Sequence, residues 1–273
     1  MIFRGVPAEC GVSCRLPRVD RTADGTENDK RMNYRLSRIA AICGGKFSGC
    51  DSEVRSVVTD SRSLSCELGC RPMFVAMRGA NHDSHDFIAG MQSRGVRAFL
   101  VERGVEASSC TGECGFVQVD NAIEALQRLA AYHRAQFRGT VVGITGSNGK
   151  TVIKEWIAEE LPEGMKYYRS PKSYNSQLGV PLSVLMLEGD EELAIFEAGI
   201  SKPGEMERLE RIIRPDAVIF TSIGDAHQEN FINLEQKCDE KMILARSASK
   251  IIYHSYYEPL GRMVAAHFAD RRP

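Results

Sequence analysis

The segment VVGITGSNGKTVIKEW, residues 141–156, has the residue types and spacing of a loop that binds phosphate. Its glycines let backbone N–H groups turn toward an anion, and the helix predicted after them offers its positive N-terminal end. Lys150 would reach the β- and γ-phosphates, and Thr151 would give its hydroxyl to Mg²⁺. Ile144 stands where the standard pattern has a glycine, so this loop is a variant form. The predicted nucleotide-binding residues are Thr145, Gly146, Ser147, Asn148, Gly149, Lys150 and Thr151.

Two later residues have side chains suited to metal chemistry. Glu197 ends the apolar run LAIFEAG, where a carboxylate is costly unless it is paired or bound to a metal. Together with Thr151 it would hold Mg²⁺. His227 follows the predicted strand AVIFTSIG. A lone histidine is more often a packing or loop residue than a ligand, so spacing alone does not assign it.

These residues are expected at one edge of a sheet. From Thr140 onward, β-rich runs alternate with helical patterns, which predicts a doubly wound, mainly parallel sheet whose ligands bind at the carboxyl ends of the strands. The fold class is therefore α/β, with a small N-terminal α/β domain followed by an incomplete P-loop domain. We expect a disordered extension over residues 1–31, the N-terminal domain over 32–119 and the nucleotide domain over 120–273.

Composition excludes several classes of protein. The 273 residues have a formal net charge of -1, which gives no electrostatic footprint for nucleic acid or an anionic membrane. No apolar run approaches the ~20 residues of a membrane span, and no signal peptide is evident. We therefore expect a cytoplasmic protein. Its 9 cysteines include three C-x3-C pairs in unlike contexts, for which reduced thiols are a simpler interpretation than a zinc site.

Five motifs resemble those of the Mur ligases, in the same order along the chain. TGSNGKT resembles their phosphate loop, and YNSQLGVPLSVL resembles their N-x-x-x-G-x-P segment. FEAGISKPGEMERL and TSIGDAHQENF are similar to the E-x-G…P-G-E and T-N-[IV]-G-x-A-H-x-E-x-F stretches of the MurF type. TDSRSL…MFVAMRGANHDSHDFI is similar to the MurF N-terminal domain. The Gln-Glu-Asn after His227 is most like MurF domains that are fused to an alanine racemase.

The resemblance implies an ATP-dependent ligase that adds D-alanyl-D-alanine to UDP-N-acetylmuramoyl-tripeptide through an acyl phosphate, in peptidoglycan precursor synthesis. It implies that Asn175 lies near the γ-phosphate. It also implies that His227 and a carbamylated Lys241 hold a second metal ion, with Lys237 as the rival carbamylation site. Otherwise both lysines would lie on a solvated helix face. The catalytic set is then Lys150, Asn175, Glu197, His227 and Lys241.

The resemblance further places the UDP-sugar at five residues of the N-terminal domain, namely Asp60, Ser61, Arg62, Asn81 and His82. For the first three, a turn with a local side-chain bond is the alternative. Ser222 replaces the usual asparagine of the family, which puts a metal or phosphate contact there in doubt.

Mur ligases have a third domain that closes over ATP and binds the incoming amino-acid substrate, and no counterpart of it follows HSYYEP here. We expect a fragment that is inactive alone and lacks both that domain and a racemase. Two alternatives remain open: a remnant that binds ATP or UDP-muramyl-peptide without turnover, or another P-loop ATPase.

Overall fold

The computed structural model describes residues 32–63, 71–79, 83–102, 113–224 and 228–269 of the chain. Two five-stranded sheets follow one another in sequence, joined by helices, so the predicted α/β class is confirmed. The extension predicted over residues 1–31 lies outside the described residues.

The first sheet is built from short strands with the order β2-β7-β6-β5-β4. Strands β4 to β7 run parallel, whereas β2 is antiparallel to β7. The β-rich run VRSVV is split at Arg55: β3 pairs with β1 in a separate ribbon, and β4 joins the sheet. The elements of this region are β1 (Tyr34–Arg35), α1 (Leu36–Cys43), β2 (Lys46–Gly49), β3 (Glu53–Val54), β4 (Ser56–Val58), β5 (Pro72–Val75), α2 (Ile88–Ser93), β6 (Ala98–Glu102) and β7 (Gly115–Val119).

The second sheet has the order β12-β11-β8-β10-β9, and all of its strand pairs are parallel. This confirms the doubly wound sheet and brings the carboxyl ends of its strands to one edge. The strand β9 was not predicted, because Tyr-Tyr-Arg shows no apolar alternation. The strands are β8 (Thr140–Thr145), β9 (Tyr167–Arg169), β10 (Leu193–Ala198), β11 (Ala217–Phe220) and β12 (Lys250–Ile252).

Local capping explains where two of the helices begin. Asn121 accepts a hydrogen bond from the Glu124 amide at the start of α3, and Asn233 accepts one from the Gln236 amide at the start of α7. Helix α7 ends at Met242 and is followed by one 3-10 turn. The helices are α3 (Ala122–Arg134), α4 (Lys150–Glu159), α5 (Gly179–Val184), α6 (Glu205–Ile213), α7 (Leu234–Met242) and α8 (Glu258–Ala269).

The two faces of the second sheet are covered by different helices, because side chains alternate along a strand. Ile144 and Ile195 face α4, where they pack with Ile153 and Ile157. The intervening residues on these strands, such as Phe196, join the larger core formed with α3, α5 and α6. Helix α3 also contacts α1, and so connects the two sheet regions.

Candidate functional site

The phosphate loop is the turn between β8 and α4, and its two glycines have conformations that a side chain would disfavour. Gly146 has φ 147°, and a Cβ there would lie 1.9 Å from the Thr221 hydroxyl oxygen. Gly149 has φ 82° and immediately precedes α4. Ile144, at the position of the missing glycine, is a fully buried strand residue that packs under α4. The variant pattern therefore reflects a strand that continues through Thr145 before the loop begins.

Contacts with the end of β11 fix the shape of this loop. The Ser147 amide donates to the Ser222 carbonyl over 2.7 Å, and the Ser147 hydroxyl bonds to both the amide and the carbonyl of Gly224. The hydroxyls of Thr221 and Ser222 donate to the Asn148 carbonyl, at 2.6 and 3.2 Å. Ser222 thus braces the loop, a role that its short side chain can fill.

Lys150 folds back over the loop that precedes it. Its ammonium donates to the Gly146 carbonyl over 2.9 Å and to the Ser147 carbonyl over 3.3 Å. Burial lowers the pKa of Lys150, and the nearby Glu197 carboxylate opposes that shift. The amides of the first turn of α4 have no carbonyl within the helix to bond, so the loop combines a cation with free N–H donors. This is the composition of an anion site.

Glu197 lies beside the phosphate loop with no exposed surface. It is paired with Ile144 across the two central strands, and it points to the face covered by α4. Its Oε2 accepts a hydrogen bond from the Thr151 hydroxyl over 3.1 Å and lies 3.5 Å from the Asn175 amide nitrogen. Three predicted site residues from three separate segments therefore meet at one carboxylate oxygen. Its burial shows that Glu197 is not a strand-end carboxylate at the protein surface.

Glycine also sets the approach of Asn175. The Gly199 amide donates to the Asn175 carbonyl over 2.8 Å, and a Cβ on Gly199 would lie 3.1 Å from the Asn175 side chain. A residue with a side chain at Gly199 would push Asn175 away from Glu197.

The oxygens present here fit a magnesium ion. Mg²⁺ binds oxygen at ~2.1 Å in an octahedron, so two adjacent ligands lie ~3.0 Å apart. The Thr151 hydroxyl and Glu197 Oε2 are 3.1 Å apart. Glu197 Oε1 is buried and, within the described structure, makes an ion pair but no directed hydrogen bond. His227, another predicted ligand, lies outside the described residues. Among the residues that the structure does describe, no group of three or more His, Cys, Asp or Glu is arranged for a metal.

Lys154 is a member of this site that the sequence analysis missed. It is fully buried, one helical turn after Lys150, and its Nζ lies 2.9 Å from Glu197 Oε1. It also donates to the carbonyls of Ser170 and Lys172. The available signal was its spacing from Lys150, because residues four apart share a helix face.

Lys241 and Lys237 are both buried, so the alternative of a solvated helix face is wrong for each. Lys241 donates to the Gly146 carbonyl over 3.2 Å, and the same carbonyl accepts from Lys150. Lys237 donates to the Gly224 carbonyl over 2.6 Å. Burial lowers the pKa of Lys241 to about 7, helped by the neighbouring charges of Lys150 and Lys237.

Glu240, also not predicted, docks the helix that carries these lysines. Its Oε1 accepts hydrogen bonds from the Gly204 amide over 2.7 Å and from the Met206 amide over 3.1 Å, at the start of α6. A carboxylate at a helix N-terminus satisfies orphan amides and complements the helix dipole. Glu240 therefore fixes α7, and with it Lys241, relative to the second sheet.

The residues predicted for the UDP-sugar are placed only in part. Arg62 is exposed and donates through its backbone and side chain to the Asp60 carboxylate, whose pKa it lowers to about 2. The Ser61 carbonyl accepts from Arg94. This is the local turn given above as the alternative. Asn81 and His82 lie outside the described residues.

The cysteines of the described residues are free thiols: Cys43, Cys50, Cys114 and Cys238. Burial raises the pKa of Cys43 to about 12, as expected for an inert packing thiol. Of the six cysteines in the three C-x3-C pairs, Cys114 alone is among the described residues. None of the three pairs is therefore described with both of its members. Among the helices that the structure describes, none combines the length and the apolar character needed to cross a membrane.

Comparison with known proteins agrees with this geometry. Residues 144–260 match the family model described as the Mur ligase middle domain. The UDP-N-acetylmuramoyl-tripeptide–D-alanyl-D-alanine ligase of Borreliella burgdorferi is 34% identical over 206 residues, which cover 72% of this chain and 44% of the relative.

Two solved structures are also similar. MurF from Acinetobacter baumannii superposes with a TM-score of 0.74 at 24% identity, covering 86% of this chain and 52% of that one, a likeness of fold. MurF ligase from Thermotoga maritima in complex with ADP gives a TM-score of 0.67 at 28% identity, covering 78% and 48%. The chain spans about half the length of these relatives. With its phosphate loop, its strand-end carboxylate and the order of its motifs, the chain belongs to the Mur ligase family.

Proposed function

We propose that this chain binds ATP with Mg²⁺ and forms the nucleotide-binding part of a ligase that joins D-alanyl-D-alanine to UDP-N-acetylmuramoyl-tripeptide, in peptidoglycan precursor synthesis. One observation carries the proposal: the Thr151 hydroxyl, the Asn175 amide and the buried Glu197 carboxylate converge beside Lys150. Such a group has the charges and oxygens needed to orient a triphosphate. The ADP complex of the Thermotoga maritima relative supports the nucleotide.

The chemistry that such a site serves has two steps. A substrate carboxylate attacks the γ-phosphorus of ATP, which forms an acyl phosphate and releases ADP. The incoming amine then attacks the acyl carbon, loses a proton and expels inorganic phosphate. In the first step Lys150 and the amides at the start of α4 hold the phosphate charge, while Asn175 donates toward the transferred group. Mg²⁺, bound by Thr151 and Glu197, would neutralise phosphate charge.

Lys241 is proposed as the carbamylated lysine. Carbamylation joins a neutral amine to CO₂ and releases a proton, so a pKa of about 7 favours the reactive form near neutral pH. Both lysines are buried, but the Nζ of Lys241 lies 3.2 Å from the Gly146 carbonyl of the phosphate loop itself, whereas that of Lys237 donates to the Gly224 carbonyl. The contact with the loop supports Lys241 over Lys237. The resulting carbamate would supply oxygen ligands for a second metal ion together with His227.

We propose that the two sheet regions bind different substrates. Residues 120–273 serve ATP, and residues 32–119 serve the UDP-muramyl substrate, with Asp60, Ser61, Arg62, Asn81 and His82 on that side. Arg62 pairs with Asp60 but remains exposed just after β4. Its guanidinium is therefore accessible to a diphosphate, which arginine can bind with two parallel hydrogen bonds. We also propose the cytoplasm as the compartment, where ATP and the UDP-linked substrate are available.

Isothermal titration of the full 273-residue chain with ADP and Mg²⁺ tests the nucleotide site. Binding should be lost in Lys150→Ala and retained in Lys166→Ala, which removes an exposed lysine whose partner is Asp190. No binding by the unmodified chain would refute the proposal. Amide formation from UDP-N-acetylmuramoyl-tripeptide and D-alanyl-D-alanine is then measured by phosphate release and mass spectrometry. We expect no product from this chain alone, and product formation would overturn that expectation. ATP hydrolysis that is indifferent to both substrates would instead indicate an unrelated P-loop ATPase.

A further inference from the structure

The ammonium of Lys154 has three acceptors within the described structure. It lies 2.9 Å from Glu197 Oε1, 2.7 Å from the Ser170 carbonyl oxygen, and in contact with the Lys172 carbonyl. Two of its three N–H donors are used by the carbonyls, and the Glu197 carboxylate compensates its charge as an ion pair. Glu155 Oε1, at 3.4 Å, adds a fourth, longer contact from the rim. Such a fully enclosed cation is costly to bury unless its partners are fixed.

As a result, the two carboxylate oxygens of Glu197 face different groups. Its Oε1 faces Lys154, and its Oε2 faces the Thr151 hydroxyl and the Asn175 amide. With Lys154 against Oε1, a single carboxylate oxygen remains turned toward the phosphate loop. The buried lysine therefore limits how this carboxylate can approach a cation.

The second effect of Lys154 concerns the segment that leads to Asn175. Ser170 follows β9 directly, and Lys172 has φ 49°, a left-handed conformation that is uncommon for lysine. The ammonium holds the carbonyls of both residues, while the Gly199 amide holds that of Asn175. Helix α4 thus fixes the start of the segment, and the end of β10 fixes its finish.

We propose that Lys154 is a positioning residue that confines Glu197 to one-oxygen coordination and so makes the site select Mg²⁺ over Ca²⁺. Mg²⁺ takes single carboxylate oxygens in a small octahedron, whereas the larger Ca²⁺ accepts both oxygens of one carboxylate. Replacing Lys154 by a neutral residue releases Oε1 and permits two-oxygen binding. The inference rests on the proposed function, because it presupposes a nucleotide-bound cation at Thr151 and Glu197.

The test compares ADP affinity in Mg²⁺, in Ca²⁺ and in EDTA by isothermal titration, with Lys154→Met, Lys154→Arg and the exposed control Lys166→Met. The wild-type chain, Lys154→Arg and Lys166→Met should share one ratio of Mg²⁺-supported to Ca²⁺-supported affinity. Lys154→Met should lower that ratio at least about fivefold, because the released oxygen favours the larger ion. If Lys154→Met does not fold, Lys154→Gln, which keeps an N–H donor for the loop carbonyls, serves in the same comparison.

Failure of the inference about Lys154 can be distinguished from failure of the proposed function. A purely structural role predicts weaker ADP binding in both metals with the ratio unchanged, and that result overturns the inference while leaving the proposed function intact. If the wild-type chain does not bind ADP in either metal, the proposed function falls and the inference falls with it. A lowered ratio in the neutral variant, together with the wild-type ratio in Lys154→Arg, supports the positioning role.

Discussion

The buried amine of Lys241 makes the stability of the metal-free chain depend on pH. Its pKa is lowered from 10.5 to about 7 in the folded chain. Between these values the unfolded chain binds a proton that the folded chain has released, so the free energy of unfolding rises with pH. Below pH 7 both states are protonated, and the full cost of burying the charge is present. Above pH 10.5 both states are neutral, and that cost is gone.

The magnitude follows from the size of the shift. The side chain is 2% exposed, so solvent screening reduces the effect little. Each pKa unit corresponds to ~1.4 kcal/mol, which gives a total of about 5 kcal/mol. Between pH 7 and 8.5 the expected gain is about 1.5–2 kcal/mol. For a chain of this size that corresponds to a rise in Tm of about 3–7 °C.

Urea unfolding in CO₂-free buffer between pH 7 and 8.5 measures this slope. The matched variant Lys241→Met keeps the length of the side chain and removes the titrating group. Between pH 7 and 8.5 its free energy of unfolding should therefore rise by about 1.5–2 kcal/mol less than that of the wild-type chain. The pKa of Lys150 is also lowered, and this lysine remains in both proteins, so subtracting the two curves isolates Lys241. Equal slopes in the wild-type chain and the variant would show that the amine of Lys241 is not buried as described.

Three further predictions concern stability. Gly146→Ala should destabilise the chain by ~1–3 kcal/mol in urea, because its φ is positive and the new Cβ meets Thr221; no change would mean that the loop adopts another conformation. Lys154→Met should cost ~3–5 kcal/mol by leaving Glu197 uncompensated, and adding Glu197→Gln should recover part of that loss; additive costs would contradict the pairing. Glu240→Ala should cost ~1–3 kcal/mol and lower the Tm, since two amides of α6 lose their acceptor; an unchanged Tm would argue against this contact.

The order of the elements could be predicted from the sequence because the central strands of the second sheet, β8 and β10, are largely buried and strongly apolar. The phosphate loop and Glu197 follow two such strands, and parallel pairing brings strand ends to one edge. The short strands were harder to predict. β9 consists of three polar or aromatic residues and is defined by its pairing with β10, a contact between distant segments that local pattern does not encode.

A site residue could be predicted from the sequence only where its role is evident from the residues around it in the chain. Lys154 has a helical spacing from Lys150, but its function depends on carbonyls at residues 170 and 172 and on Glu197, which lie in other segments. Glu240 likewise acts through the amides of a separate helix. In a single sequence, such residues are indistinguishable from the solvated charges of an ordinary helix face.

Lys237 and Lys241 are buried, so the interpretation of both as residues of a solvated helix face was wrong. On α7 these lysines share a face with Cys238, which is also buried, so their spacing follows the core side of the helix. Together with Lys154 and the partly buried Lys150 they place four amines at or near the phosphate loop. Among the described residues, the carboxylates that face these amines are the buried Glu197 and, at the rim, Glu155 beside Lys154. Buried charge of one sign is unfavourable unless it is neutralised. Lowering the pKa of Lys241 relieves part of this excess in the metal-free chain, and a bound triphosphate would relieve the rest. The same excess of positive charge that lowers the stability of the fold therefore favours binding of the phosphates of a nucleotide.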